Sequence, residues 1–290
     1  MTSVSLLASA LVGVFSAAVY AYVGIRFLRR DVAREDQLPA TAFAVSWHAL
    51  AAVSGVGALR NLAVAALPPS HAVWTVAGPA SLFLDVFLLC VGFWGFLYYV
   101  AFLISGWRRL AVPLGLAYGL AFVVVASSLW ELRPFELEIT KWAASVRTEG
   151  DAATTHIPAL FVLLLVVQLI ATAAYASLLF RVRERMLRFR IAVVAVSLTA
   201  WFVSPFLSGV LPAGLREDWP LAQRFIGLAA ALAILTAFDP PQRLASAFHL
   251  SEPPKGDSTQ FHSPRVAPTT PDDWHERKAA RLRERISELV

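Results

Sequence analysis

Residues 74–105 read WTVAGPASLFLDVFLLCVGFWGFLYYVAFLIS and contain one charged side chain, that of Asp85. An α-helix rises about 1.5 Å per residue, so a helix of this length exceeds the roughly 30 Å hydrocarbon core of a bilayer. A spanning segment must satisfy its backbone polar groups internally, which an α-helix does. The stretch therefore predicts a membrane-spanning helix.

Six further apolar stretches of similar character surround this one. The predicted spans are residues 4–25, 42–66, 74–105, 110–130, 158–180, 191–211 and 225–238. Hydrophobic residues make up 58% of the chain and charged residues 16%, which is typical of a membrane protein. We predict an all-α integral membrane bundle of seven transmembrane helices, formed by residues 1–243.

Composition also limits the function classes. The net charge of +5 does not indicate nucleic-acid binding, because the arginines lie in short loops and in the C-terminal tail. A single cysteine, Cys90, excludes a disulfide framework and a cysteine-based metal site. No basic residue precedes the first apolar stretch, whereas Arg26 and Arg29 follow it. We interpret this stretch as a first transmembrane helix and not as a cleavable signal peptide.

The distribution of basic residues predicts the orientation, because cytosolic loops are enriched in Lys and Arg. The first, third and fifth loops are rich in arginine: Arg26, Arg29, Arg30, Arg34, Arg108, Arg109, Arg181, Arg183, Arg185, Arg188 and Arg190. The second loop has no basic residue, the fourth has more acids than bases, and the predicted sixth loop contains Arg216 and Arg224. We predict an outer N-terminus, a cytosolic C-terminus and a multi-pass location in the cell membrane.

The fourth loop is the largest predicted segment on the outer face. Its residues 135–142 carry four large apolar side chains, Phe135, Leu137, Ile139 and Trp142. Two interpretations stay open: the segment lies along the membrane interface, or it is a solvated connector.

The tail after residue 243 changes in composition. We predict a surface segment and flexible linker over residues 244–270, which end in a Pro/Ser/Thr-rich stretch. A cytosolic amphipathic helix follows over residues 271–290, where Thr270 is the expected N-cap. Its candidate lipid- or partner-binding residues are Trp274, Arg277, Lys278, Arg281 and Arg285. A solvated terminal helix is the alternative.

Ionisable residues at membrane depth are costly and tend to be functional. Asp85 is the one carboxylate inside the predicted spans, and Arg60 and Asn61 lie near the outer end of the second span. A short loop joins the second and third spans, so they are expected to be antiparallel neighbours. This places Arg60 and Asp85 at similar depth and predicts an ion pair. The pair serves either helix packing or a ligand or proton site.

His48 completes the candidate buried polar residues, in the inner half of the second span. No second histidine stands at its depth, which argues against bis-histidine haem and favours a packing role. The three lysines, Lys141, Lys255 and Lys278, lie outside the predicted bundle, which excludes a retinal Schiff base. We expect no cofactor. The glycine pairs Gly55/Gly57 and Gly92/Gly95 are interpreted as sites of close helix packing.

The layout resembles the N-terminal seven-helix sensor region of bacterial and archaeal histidine kinases. The resemblance covers about residues 4–243. It rests on an outer N-terminus, an arginine-rich first loop, long second and third spans joined by Leu67-Pro68-Pro69-Ser70, an extended outer fourth loop, and the exit Ala237-Phe238-Asp239-Pro240-Pro241-Gln242-Arg243. It implies a sensor. Only about 50 residues follow the exit, too few for phospho-acceptor and ATP-binding domains, so the expected sensor signals to a separate cytosolic partner.

The sequence thus leads to two functional hypotheses. The first is a sensor or receptor-like module with a ligand pocket among the outer halves of helices two to six. The second is a structural or assembly factor that packs against a membrane complex. A lipid-modifying enzyme or carrier is a third class, disfavoured because no cluster of polar groups at one depth is evident. Catalysis is not expected, and the oligomeric state is not predicted.

Overall fold

The computed structural model describes residues 2–29, 37–131, 135–148, 156–207 and 211–238. Its long helices are α1 (Thr2–Leu28), α2 (Gln37–Ala66), α3 (Trp74–Ser105), α4 (Ala111–Glu131), α5 (His156–Ala176), α6 (Arg185–Leu207) and α8 (Trp219–Phe238), with a short α7 (Ala213–Arg216) before the last. One hairpin, β1 (Phe135–Ile139) and β2 (Ala144–Thr148), interrupts this order. Short 3-10 turns, Arg108–Leu110 and Ser177–Phe180, precede α4 and follow α5.

Seven of these helices are long and apolar enough to cross a membrane, which confirms the predicted number of spans within the described residues. The last two spans begin six residues earlier than predicted, at Arg185 and Trp219. Arginines interrupt the hydropathy there but are good helix formers, so the backbone remains helical through them. Arg224 consequently lies inside α8 and not in the sixth loop. The described residues are helical apart from the hairpin and connecting turns, and their seven apolar helices have the length and composition of a multi-pass membrane protein.

The helices pack mainly with their sequence neighbours. Helices α1, α2 and α3 pack against one another in order as antiparallel neighbours. Helix α8 packs against both α6 and α1, which brings the first and last helices together. The helix α4 contacts α3 and α5 and is the least buried of the seven. Large apolar side chains on the outside of the bundle, such as Leu11, Leu116 and Leu120, are well exposed. Such a surface suits lipid.

The two ends of the bundle differ in character. We call one the hairpin end; it holds the β-hairpin, the turn over residues 67–73 and α7. The other, the arginine end, holds the turns over 106–110 and 181–184 and the last residue of α8. Gly106 adopts a left-handed conformation (φ 70°) and ends α3 there, with its N–H bonded to the carbonyl of Phe102.

Aromatic residues fill the bundle near the arginine end. Phe43 stacks on Tyr99 at a centroid distance of 4.2 Å, and Phe27 packs edge-on against both Phe43 (4.6 Å) and Phe238 (4.7 Å). These rings come from α1, α2, α3 and α8. They form a closely packed aromatic cluster at the arginine end, whereas the hairpin end is more open.

Close packing of α2 against α3 depends on Gly95. A Cβ added at Gly95 would overlap the Ser46 hydroxyl and the Ala42 carbonyl oxygen, whereas one at Gly92 would make ordinary contact with Leu50 at 3.5 Å. The predicted close packing is confirmed at Gly95, whereas the helices leave room for a Cβ at Gly92. For Gly55 it is wrong, since nothing lies within 4 Å of its added Cβ. Gly57 faces a cavity instead, described below.

Residues 135–148 of the fourth loop fold as a hairpin, which neither sequence-based interpretation anticipated. The strands pair antiparallel from Phe135↔Thr148 to Ile139↔Ala144. Its first strand reads FELEI, with alternating half-buried and exposed side chains. Leu137 and Ile139 pack with Leu6 of α1 and Val64 of α2. The apolar residues therefore cover the bundle, and residues 135–142 form a strand and a turn that pack on protein.

Two sets of predictions lie outside the described residues. The arginines Arg30 and Arg34 of the first loop belong to residues 30–36. The surface segment, linker and amphipathic helix of 244–290, with Trp274, Arg277, Lys278, Arg281 and Arg285, belong to residues 239–290.

Candidate functional site

A cavity of about 450 Å³ opens near the hairpin end of the bundle. Every long helix except α4 lines it, and the hairpin residues Ala143, Ala144 and Ser145 form part of its wall. Its volume falls within the roughly 300–1,000 Å³ range of small-molecule sites. The wall is mostly apolar and includes Leu50, Val53, Leu89, Phe93, Leu165, Trp201 and Phe202.

The predicted ion pair lies in this wall. Arg60 of α2 donates to Asp85 Oδ2 of α3, and its Nε donates to the Ser81 hydroxyl at 3.1 Å. The side chains of Arg60 and Asp85 are only 9% and 18% exposed. The short turn between α2 and α3 makes the two helices antiparallel neighbours. Arg60 and Asp85 therefore lie at similar depth, as expected from the sequence, and their side chains meet. The pair is present as predicted.

One oxygen of this pair has no partner. Asp85 Oδ1 is buried and accepts no hydrogen bond from any described residue. Buried acceptors usually have a partner, since an unsatisfied one costs about 1–3 kcal/mol. Asp85 is part of the cavity wall, although this oxygen itself is buried within that wall.

Asn61 connects α2 to the hairpin. Its Nδ2 donates to the Trp142 carbonyl at 3.2 Å, and its Oδ1 accepts from the Ala144 backbone N–H at 2.8 Å. Arg60 adds a long bond of 3.5 Å to the Ala144 carbonyl. Asn61 is fully buried, and buried polar groups need hydrogen-bond partners. Its side-chain amide finds them in the backbone groups of the hairpin turn. The adjacent Arg60 and Asn61 thus hold the hairpin over the cavity.

Arg224 is a cavity residue, although the sequence pattern placed it in a loop. It projects from α8 toward α1, where it donates to the carbonyl of Ser9. A Cβ at Gly13 would lie 3.2 Å from its Nη1, and one at Gly57 would lie 3.8 Å from its Nη2. The missing side chains of these glycines leave room for the guanidinium. The sequence does contain an indication of this position, because Arg224 lies between the apolar residues 219–222 and 225–238 and no helix-breaking residue separates it from residues 225–238.

The cavity has an excess of positive charge. Two guanidinium groups, those of Arg60 and Arg224, and one carboxylate, that of Asp85, line it. Asp85 is paired with Arg60, whereas Arg224 has no carboxylate partner among the described residues. A guanidinium offers five N–H donors, and the Ser9 carbonyl is the one acceptor that the described part of the chain gives it. The cavity is therefore suited to an anionic group at Arg224.

His48 does not join these residues. It lies 12 positions before Arg60 on α2, which is about 18 Å along a helix axis. Its Nδ1 donates to the Ala44 carbonyl at 2.7 Å, and its ring packs where a Cβ on Gly24 of α1 would lie. His48 is half-buried in the inner part of the bundle and does not line the cavity. Of the four candidate residues, Arg60, Asn61 and Asp85 are brought together.

The hairpin turn has a second attachment, at the surface. Lys141 Nζ and Trp142 Nε1 donate to Asp218 Oδ1 at 2.8 and 2.6 Å. The hydrogen bonds from Lys141 and then Trp142 lower the pKa of Asp218 below its usual value. This pair is about half exposed, so it is much weaker than the buried Arg60–Asp85 pair. It joins the hairpin turn to the residue that precedes α8.

Within the part of the chain that the structure describes, no three His, Cys, Asp or Glu side chains are grouped so that they could hold a metal ion. Comparison with protein-family models and with curated proteins gave no match.

Proposed function

We propose that this protein is a receptor-like module of the cell membrane that binds a small molecule in the cavity and signals to a separate cytosolic partner. The hairpin end faces outward and the arginine end faces the cytosol. The observation that carries the proposal is the cavity of about 450 Å³ at the hairpin end, with buried charged groups in an otherwise apolar wall.

The orientation follows from the positive charges. Arg108 and Arg109 lie at the arginine end, together with Arg181 and Arg183, and short arginine-rich loops are retained on the cytosolic side. Under this orientation the cavity is reached from outside or from the outer leaflet. The tail 239–290 then leaves α8 into the cytosol, where it supplies the output surface.

The helix α8 offers a direct route from cavity to output. Arg224 lies in the cavity wall, and Phe238, the last residue of α8, packs against Phe27 at the arginine end. Arg190 Nε also donates to the Ala237 carbonyl at 3.0 Å. A 20-residue helix is about 30 Å long and moves largely as a unit. A displacement of α8 at Arg224 therefore reaches the point where the tail begins.

The test uses two matched glycine variants on α2. Gly57→Leu places a side chain in the cavity beside Arg224, whereas Gly55→Leu points into open space. Each is expressed in the native host with a photo-crosslinking amino acid at Phe180, which is 92% exposed at the arginine end, or at Trp274 in the tail. Crosslinked proteins are identified by mass spectrometry.

If the protein is a sensor, we expect capture of a soluble signalling protein. Gly57→Leu should change the yield of this capture at least threefold, and Gly55→Leu should leave it unchanged. Capture of integral subunits of a membrane complex, in equal yield from all variants, would instead establish an assembly factor. Capture of neither class would reject signalling through a separate partner.

A further inference from the structure

We infer that the cavity ligand is an amphipathic monoanion: a carboxylate attached to an apolar body, with the carboxylate paired to Arg224. This inference rests on the proposed role of the cavity as a ligand site and adds the chemical class of the ligand.

The charge of the ligand follows from the cavity wall. Arg60 is neutralised by Asp85, which leaves one uncompensated guanidinium among the described lining residues, that of Arg224. Arg224 is half-buried, and a cation partly removed from water without a counter-charge is costly, so a single negative charge at this position is favoured. A phosphate monoester carries about −1.5 to −2 charges and would meet repulsion from Asp85. A carboxylate matches the single charge, and its two oxygens match the fork of N–H donors on arginine.

The position of Arg224 makes it available. Its Nη1 packs against α1 beside Gly13, whereas its Nη2 faces Gly57 of α2 across the cavity wall, where no side chain covers it. Its contact with protein is with a neutral carbonyl, that of Ser9, which a charged acceptor can outcompete or share. Pro220 and Gln223 of α8 line the cavity beside it.

The apolar body follows from the remaining wall. Leu50 and Val53 of α2, Leu89 and Phe93 of α3, and Trp201 of α6 offer aliphatic and aromatic surface but no charge. Two sources supply such a ligand: a fatty acid from the membrane, or an aromatic acid from the outer solution.

The experiment measures binding to the purified full chain in phosphatidylcholine nanodiscs, with empty nanodiscs as the background. The radiolabelled probes are decanoate and indole-3-acetate, each compared with an uncharged analogue, decanol or indole-3-acetamide. We expect at least one carboxylate to bind at least tenfold more tightly than its analogue. Preference for decanoate indicates a membrane source, and preference for indole-3-acetate indicates an aqueous one. Equal binding of acid and analogue in both pairs, or no binding of any probe, would overturn the inference.

Two sets of variants locate the site. Arg224→Gln should weaken carboxylate binding at least tenfold and leave the analogue unchanged, and Arg224→Lys should retain part of the preference. Arg216→Gln is the control, because Arg216 is exposed and outside the cavity. Gly57→Leu should abolish binding, whereas Gly55→Leu should not. Carboxylate binding that survives Arg224→Gln, or Gly57→Leu, would refute this site.

These outcomes are independent of signalling. The binding assay uses no partner protein, so a negative result would exclude a carboxylate ligand. The crosslinking result would still decide whether the protein is a receptor. Conversely, Arg224-dependent binding together with unchanged crosslinking in Gly57→Leu would retain the ligand class and reject the signalling role.

Discussion

The Asn61 side chain accepts a hydrogen bond from the Ala144 backbone N–H at 2.8 Å, which joins a buried position in α2 to the hairpin over the cavity. The hydrogen bonds of Asn61 with Trp142 and Ala144 join residues that are more than 80 positions apart in the sequence. The hairpin is therefore held in place from within the bundle and not only by its own strand pairing.

Replacing Asn61 should release the hairpin. Asn61→Leu keeps the approximate volume but leaves the Ala144 N–H buried without an acceptor, which should cost about 1–3 kcal/mol. We expect a lower thermal midpoint and faster tryptic cleavage after Lys141, followed by mass spectrometry. Ser127→Ala, which removes an exposed hydroxyl bonded within α4, is the control. Unchanged cleavage would show that Asn61 does not hold the hairpin.

The Arg60–Asp85 pair should show strong energetic coupling. Asp85→Ala leaves a buried guanidinium without its counter-charge, and breaking such a pair costs about 3–5 kcal/mol. Adding Arg60→Ala should restore part of the loss in a double-mutant cycle of thermal unfolding in detergent. Strictly additive losses would contradict the contact. The exposed Lys141–Asp218 pair should show little coupling in the same assay.

The two glycines of α3 that face α2 should differ sharply when replaced by alanine. Gly95→Ala forces a Cβ against the Ser46 hydroxyl and the Ala42 carbonyl, so the two helices must separate. Overpacking of this kind costs about 1–3 kcal/mol or more. Gly92→Ala makes only ordinary contact with Leu50 and should be near neutral. Equal thermal midpoints for the two variants would contradict the close approach of the two helices at Gly95.

The attachment of the hairpin turn at Asp218 should depend on pH. Because the pKa of Asp218 is lowered on folding, its contribution is present above the unfolded value of about 3.9 and lost as pH falls through the lower folded value. Asp218→Asn should lower the thermal midpoint slightly at pH 6, and the difference should be smaller at pH 3. A difference that is the same at both values would show that the charge is not involved.

The orientation is testable with reporter fusions. Fusions after Asp36, Arg109 and Glu184 should report the cytosol, and a fusion after Pro69 should report the outer side. The physical reason is the retention of short arginine-rich loops on the cytosolic face. Outer-side signals at any two of the first three positions would reverse the proposed topology.

Hydropathy and helix geometry account for much of the architecture. The seven spans could be predicted because lipid imposes a minimum apolar length on each helix. The Arg60–Asp85 contact could be predicted because a short turn makes α2 and α3 antiparallel neighbours, and the rise per residue then sets the depth of each side chain. The prediction for Asn61 depended on the same reasoning, since it follows Arg60 in the sequence.

The hairpin and the role of Arg224 escaped prediction for two different reasons. The alternation in Phe135–Ile139 is a strand signal, but five residues between two membrane spans carry little information about what they pack against. Hydropathy places Arg224 in a loop because its charge interrupts the apolar stretch. Whether such a side chain points to solvent or into the bundle depends on the rotation of α8, which its neighbours determine.

The sequence alone therefore determined the helical class, the seven membrane-length helices of the described residues and the partner of Asp85, because these depend on composition and on distance along a helix. Tertiary structure alone decided which charges share a cavity and what covers it. Ser9, Gly57, Asp85, Ala144 and Arg224 belong to five different elements. They meet because the packing of α8 against α1, and of the hairpin on α2, sets the direction in which each side chain points.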